Sequence, residues 1–246
     1  HHPGERALEV RGVSNRRVHE VSFTLRHGEI LGIAGLVGSG RTELAQALFG
    51  IDACTAEDIR ISGKSVMIKK PEDALAAGLV LIPEDRQGQG LIMIQSVAFN
   101  IALPWVGEWN PPCMPNASKR RAIIEKAIQG FGIKVSHSEQ LISGLSGGNQ
   151  QKVLVSRWME HRPKVLILDE PTRGVDVGAR EEMFRILSRL VEEGMAILLI
   201  SSDLNEVLNM SHRVAVYRDG RIIDTRPASE VTMESVMTML TGAKEA

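Results

Sequence analysis

The sequence predicts an α/β fold with a mostly parallel central sheet. Short apolar runs, Glu29–Ala34 (EILGIA), Leu79–Ile82, Lys164–Leu168 and Met195–Ile200, read as buried strands and alternate with segments of helical spacing. A glycine-rich stretch, Gly35–Thr42 (GLVGSGRT), joins the first of these strands directly to a helix. A pair of acids, Asp169 and Glu170, follows a later strand, at the end where α/β sheets collect ligands.

The elements follow in order. Ala7–Leu31 alternates polar and apolar residues, with a first strand at Leu8–Arg11 and a turn at His27-Gly28, and reads as an antiparallel β element. Thr42–Phe49 is a helix that stops at Gly50. Ile59–Ile68 gives two short strands around Ser62-Gly63, and Pro71 opens a helix over Glu72–Ala77. Ser118–Gly130 is a basic amphipathic helix with a solvated face, and Asn149–Glu160 is another helix. A long amphipathic helix covers Gly178–Glu193 and a shorter one Leu204–Met210. Arg213–Tyr217 and Arg221–Asp224 form a hairpin turned at Asp219-Gly220, and Ser229–Leu240 is a closing helix. Pro104–Asn116, dense in Pro, Trp and Asn, reads as a loop.

Composition bounds the function. The chain has 246 residues, 43% of them hydrophobic, which is enough for a sizeable core. Its net charge of −1 gives no electrostatic case for nucleic acid as a partner. Cys54 and Cys113 are expected in loops, with no disulfide framework, which fits a reducing compartment. No signal-peptide pattern opens the sequence, and Met195–Ile200 is far shorter than the roughly 20 apolar residues a membrane span needs. His1-His2 is set aside as tag or native sequence, and the chain reads as one domain, cut from something longer.

Gly35–Thr42 matches the phosphate-loop pattern G-x-x-x-x-G-K-[ST], except that Arg41 stands in the lysine position. Gly35, Gly38 and Gly40 let backbone N–H groups face phosphates, and the following helix adds a positive dipole end. The Thr42 hydroxyl is placed to meet Mg²⁺, as is Asp169, while Glu170 is placed to polarise an attacking water. Leu145–Lys152 (LSGGNQQK) opens a helix, so Ser146, Gly147 and Gly148 make a second anion-favouring end. Two cradles for one nucleotide suggest a nucleotide held between two subunits or domains.

These motifs, in this order with Val165–Thr172 (VLILDEPT), resemble an ATP-binding-cassette (ABC) ATPase domain over about Ala7 to the end. LSGGNQQK is similar to that family's signature motif. The resemblance implies a phosphate-loop NTPase core with an antiparallel β subdomain and a helical subdomain at roughly 92–162. It implies ATP and Mg²⁺ as cofactors, held at Gly35, Gly38, Ser39, Gly40, Arg41, Thr42 and Glu43. The signature residues Ser146, Gly147 and Gly148, with Asp176 of Arg173–Asp176 (RGVD), would face a partner's nucleotide in a head-to-tail dimer. Metal contacts fall to Thr42, Asp169 and Glu84, and catalytic roles to Glu170, Glu84 and Ser202. Pro71–Gly78 (PEDALAAG), Ile82–Arg86 (IPEDR), Gly90-Leu91 and Ser96–Ile101 (SVAFNI) look like the second cassette of tandem bacterial sugar importers of the ribose, galactose and xylose type. The implied partners are the first cassette of the same polypeptide and membrane permease subunits. The implied location is peripheral, on the cytoplasmic face of the inner membrane.

The chain departs from the family pattern at four places. Arg41 replaces lysine, Glu84 stands for a glutamine and Ser202 for a histidine. Ser14–Val18 (SNRRV) offers Arg16 or Arg17 where an adenine-stacking aromatic is expected. Three readings stay open: an asymmetric ATPase half with an altered site of its own, a non-hydrolysing regulatory module, and a soluble ABC protein outside transport.

Overall fold

Alternation along Val21–Arg26 buries Val21, Phe23 and Leu25 on one face, which is what a strand needs to cover a core from one side. In the computed structural model, which describes residues 4–105 and 117–242, this segment is strand β2. It pairs antiparallel with β1 (Arg6–Val13), β1 pairs with β4 (Asp58–Ile61), and β4 with the two-residue β5 (Lys64–Ser65). The second strand expected within Ile59–Ile68 is therefore shorter than its apolar residues suggested; beyond Lys64–Ser65 one backbone bond, Val66 N–H to Ile59 C=O at 2.8 Å, continues the contact.

The larger sheet has the order β10-β9-β3-β8-β7-β6, from β3 (Ile30–Gly35), β6 (Leu79–Ile82), β7 (Val165–Asp169), β8 (Ala196–Ser201), β9 (Arg213–Arg218) and β10 (Arg221–Pro227). The β9–β3, β3–β8 and β8–β7 pairs are parallel, and β10 joins antiparallel through the Asp219-Gly220 turn. Every residue of β7 and β8 is buried, as continuous apolar strands of a covered parallel sheet should be. Both sheets share one core, in which Leu8, Leu25, Leu31, Leu44, Ile167 and Leu198 meet.

Helices α1 (Arg41–Phe49), α2 (Pro71–Ala77), α3 (Val97–Ala102), α4 (Ala117–Gly130), α5 (Gly147–Met159), α6 (Val177–Glu192), α7 (Leu204–Met210) and α8 (Met233–Thr241) fill the rest, with α1 ending on left-handed Gly50 as the sequence predicts. Helix α8 starts later than the expected Ser229, because Thr232 caps it and a 3₁₀ turn at Ala228–Glu230 precedes it. A turn of π-helix at Arg86–Gly90 and the short α3 were not predicted; six residues carry under two turns of periodicity. Cys54 is a free thiol in a loop, whereas Cys113 and most of the expected loop Pro104–Asn116 lie outside the described residues. Among the described residues no helix is long and apolar enough to cross a membrane.

Described residues within His1–Leu81, Pro163–Pro171 and Leu187–Ala246 form one compact unit, containing both sheets. Those within Ile82–Arg162 and Thr172–Ile186 form a second, in which α3, α4 and α5 pack on one another.

One glycine of the first unit is fixed by packing alone. A Cβ on Gly32, in β3, would lie 2.1 Å from Ser211 Oγ and 2.7 Å from Val207 Cγ1 of α7. Gly32→Ala is expected to lower the unfolding free energy by about 1–3 kcal/mol, the usual cost of overpacking, as urea denaturation would show.

Candidate functional site

Strand β3 ends at Gly35, and the chain turns through Leu36–Gly40 into α1. Gly38 (φ +80°) and Gly40 (φ +100°) hold left-handed conformations, and a Cβ on Gly38 would meet nothing within 4 Å. The backbone at Gly38 is thus open, close in sequence to the first turn of α1, whose N–H groups have no intrahelical partner. Ser39 Oγ is buried with no hydrogen-bond partner among the described residues.

Asp169 closes β7 and is almost fully buried. The Thr42 hydroxyl bonds its carboxylate, yet Oδ1 has no hydrogen-bond partner among the described residues. Burial pushes the Asp169 carboxyl up to about 6, and the nearby charges of Glu170 and Glu43 push the same way, against the Thr42 bond and the Arg41 charge. An orphaned buried carboxylate oxygen beside a threonine hydroxyl and an open glycine loop fits a hydrated divalent cation with phosphate. Mg²⁺ in such sites takes one or two protein ligands plus phosphate and water, so the lack of any larger His/Cys/Asp/Glu cluster among the described residues is no obstacle.

Arg41 goes elsewhere. Its side chain is buried, donates to the Ser201 carbonyl at the end of β8, and lies 3.7 Å from Glu170 Oε1. Desolvation lowers its pKa, against the raising charges of Glu170 and Asp169. Glu170 sits at φ +49°, a strained conformation for this residue type, pinned by its N–H to the Ile200 carbonyl at 2.8 Å. Its carboxylate also accepts from Ser202 Oγ at 3.0 Å. Ser201 Oγ donates to the buried Glu206 carboxylate at 2.6 Å. Glu43 is paired with Arg17 at 2.8 Å, beside a shallow pocket of about 320 Å³ that Asn15, Arg16 and Asp52 help to line.

The first unit therefore brings together Gly35, Gly38, Ser39, Gly40, Arg41, Thr42, Glu43, Asp169, Glu170 and Ser202. The second holds Ser146, Gly147, Gly148, Asp176 and Glu84. There Ser146 caps α5, its Oγ accepting from the Asn149 backbone N–H at 3.4 Å and from the Asn149 side-chain amide at 3.0 Å. A Cβ on Gly148 would lie 2.4 Å from Ala179 Cβ, so the glycine permits close packing of α5 on α6. Asp176 Oδ1 accepts from the Ala179 N–H at 3.0 Å and holds the start of α6. Glu84 is ion-paired with Arg173.

A family model described as ABC transporter matches residues 18–173. The chain belongs to the ABC transporter family. This ABC chain is 42% identical over 243 residues to the ribose import ATP-binding protein RbsA of Bacillus licheniformis, covering 98% of itself and 49% of that relative. It is 46% identical over 244 residues to the putative ribose/galactose/methyl galactoside import ATP-binding protein 3 of Agrobacterium fabrum, covering 99% of itself and 49% of that relative. The chain thus spans about half the length of the curated relatives it matches. Its fold is that of solved ABC cassettes. The cbiO1 protein of Clostridium perfringens, part of an ABC transporter complex, superposes with a TM-score of 0.78 at 23% identity over 98% of this chain and 96% of that one. A dimeric ATP-binding cassette in a post-hydrolysis state with ADP and Pi gives a TM-score of 0.75 at 18% identity over 90% and 98%.

Sequence reasoning missed Ser201, Glu206, Arg86 and Gln150. Ser201 closes β8 and Glu206 lies in α7, and their burial and mutual hydrogen bond single them out.

Proposed function

We propose that this chain is an ATP-binding cassette that energises sugar import, with its own phosphate loop weakened and its signature end serving the ATP of a partner cassette. The domain would extend over 7–246, with a helical subdomain at roughly 92–162. Bound Mg-ATP would supply the phosphoryl group whose transfer to water drives the cycle. The loop Gly38–Gly40 and the first turn of α1 would hold its phosphates, and Thr42 and Asp169 its metal. Glu170 would orient the water, with Ser202 beside the reacting end.

The observation that carries the asymmetry is the destination of Arg41. Its guanidinium bonds the Ser201 carbonyl and lies 3.7 Å from Glu170, whereas a P-loop lysine would reach the terminal phosphates. Glu170 is engaged by that same cation and by Ser202 Oγ, which leaves the base candidate tied. Ser146, Gly147 and Gly148, by contrast, keep the signature pattern at a capped helix end. About half of each curated relative lies outside this match, which leaves room for a second cassette in the same polypeptide. Permease subunits and a peripheral place on the cytoplasmic face of the inner membrane complete the proposal, with a sugar of the ribose or galactose class as cargo.

The direct test restores the loop. Arg41→Lys, combined with Ser202→His, is expected to raise own-site hydrolysis about 10-fold or more, since each contact to developing phosphate charge is worth on the order of 2–4 kcal/mol. Unchanged hydrolysis in the double variant would count against the asymmetric reading. The tied Glu170 also favours a second reading, a module that binds ATP without hydrolysis. Glu170→Gln discriminates, because a loss in single-turnover rate at this loop is expected only if the site still works slowly.

A further inference from the structure

Arg86 heads the single turn of π-helix that follows β6. Its guanidinium uses both ends of its fork. Nη1 donates to the Arg173 carbonyl at 2.8 Å and Nη2 to the Gly174 carbonyl at 3.5 Å. Nε donates to Gln150 Oε1 at 3.4 Å. Gln150 is buried on α5, and its amide is fully used: Oε1 also accepts from Gln87 Nε2 at 3.1 Å, and Nε2 donates to the Ile142 and Leu145 carbonyls at 3.3 and 3.1 Å. Leu145 immediately precedes the cap Ser146, and Gly174 lies two residues before Asp176. All of these groups belong to the second unit.

The close approach is specific. A Cβ on Gly147 would lie 2.8 Å from Arg86 Nη2 and 3.3 Å from the Gly174 carbonyl oxygen. Gly147 is therefore small because the guanidinium and the loop pass over it. The Glu84–Arg173 ion pair ties the same two segments a second time. A planar fork that meets two successive carbonyls and a side-chain amide is a job for arginine; lysine has one point charge and no fork.

We infer that Arg86 is a positioning residue that locks the loop Arg173–Asp176 to the Ser146–Gly148 end of α5, so that both present one rigid face to the opposing nucleotide. The role in turnover rests on the proposed function; the lock itself rests on the contacts alone. Rigid placement matters because a misplacement of about 1 Å can cost about 100-fold in rate.

The test uses the complete polypeptide assembled with its membrane subunits, comparing wild type, Arg86→Ala and Arg86→Lys. Amide hydrogen exchange reads the lock. Exchange at Val175–Arg180 and Gly147–Gln150 is expected to quicken about 10-fold or more in Arg86→Ala, with β3, β7 and β8 unchanged. Gly147→Ala, which displaces the guanidinium, should give the same exchange pattern, with no further increase in the double variant. ATPase assays read the consequence: kcat falls about 10-fold or more while KM for ATP stays within about 3-fold, and Arg86→Lys does not restore it. Unchanged exchange in Arg86→Ala, additive exchange in the double variant, or full rescue by lysine would each overturn the lock. Ser146→Arg separates the two levels. If it leaves turnover intact, the donor-face reading fails; if it abolishes turnover while Arg86→Ala leaves kcat intact, the positioning role fails alone.

Discussion

Ser146→Arg is expected to abolish ATP turnover in the full-length protein assembled with the proposed partner cassette, by about 100-fold or more, while leaving the chain folded. Ser146 is the cap of α5, and the helix end it organises carries the unpaired N–H groups and the positive dipole end that favour a phosphate. Arginine removes the cap oxygen and places a long cationic side chain across that end. Loss of the cap costs about 1 kcal/mol, far too little to unfold a domain of this size. The rest of α5 is held by buried Gln150, Val153, Leu154 and Val155 and by Arg157, whose guanidinium donates to the Gly90 carbonyl at 2.7 Å. Circular dichroism should therefore match wild type while phosphate release falls to background. Near-normal turnover in the variant would remove the donor role from this helix end.

Asp169→Asn is expected to stabilise the protein at neutral pH in the absence of divalent metal. The folded carboxyl titrates at about 6 against an ordinary value of 3.8, chiefly because burial penalises the charge. With the folded value above the unfolded one, the folded chain keeps a proton that the unfolded chain has already released between about pH 4 and pH 6. Stability from this group is thus full below about pH 4, declines through that window, and is gone above about pH 6. A shift of this size corresponds to about 3 kcal/mol at most. The neutral amide carries no such penalty, so urea denaturation of Asp169→Asn should show a gain of about 1–3 kcal/mol near pH 7.5 and almost none near pH 4. The same change should weaken Mg²⁺-dependent nucleotide binding, the expected trade at a functional site. Equal stability of the two proteins at both pH values would mean that the carboxylate is not penalised by its burial.

Much of this was legible in the sequence because it is local. The strand–glycine loop–helix of β3 and α1, the acids at the end of β7 and the helix opened by Ser146 each follow from a few adjacent residues. The start of α8 was not, since Thr232 and Ser235 form a capping box that competes with the earlier apolar pattern. The course of Arg41 was not legible either. Its position in the motif marks a changed phosphate contact, but its direction is set by the Ser201 carbonyl, 160 residues along the chain, and by Glu170. Arg86 and Gln150 stand within the IPEDR and LSGGNQQK motifs, but their role was not legible for the same reason: it needs the loop at Arg173–Gly174 brought over Gly147. Long-range contact, more than composition, decides which polar residues matter.

If this chain's phosphate loop retains its nucleotide while its signature end assists hydrolysis elsewhere, the two loops of the complete transporter must hold different nucleotides after one cycle. Labelling with a photoreactive ATP analogue after a single turnover, followed by identification of the nucleotide bound at Gly35–Thr42, reads this difference. Triphosphate is expected at this loop and diphosphate at the partner's. Diphosphate at both loops, formed at the same rate, would contradict the asymmetry.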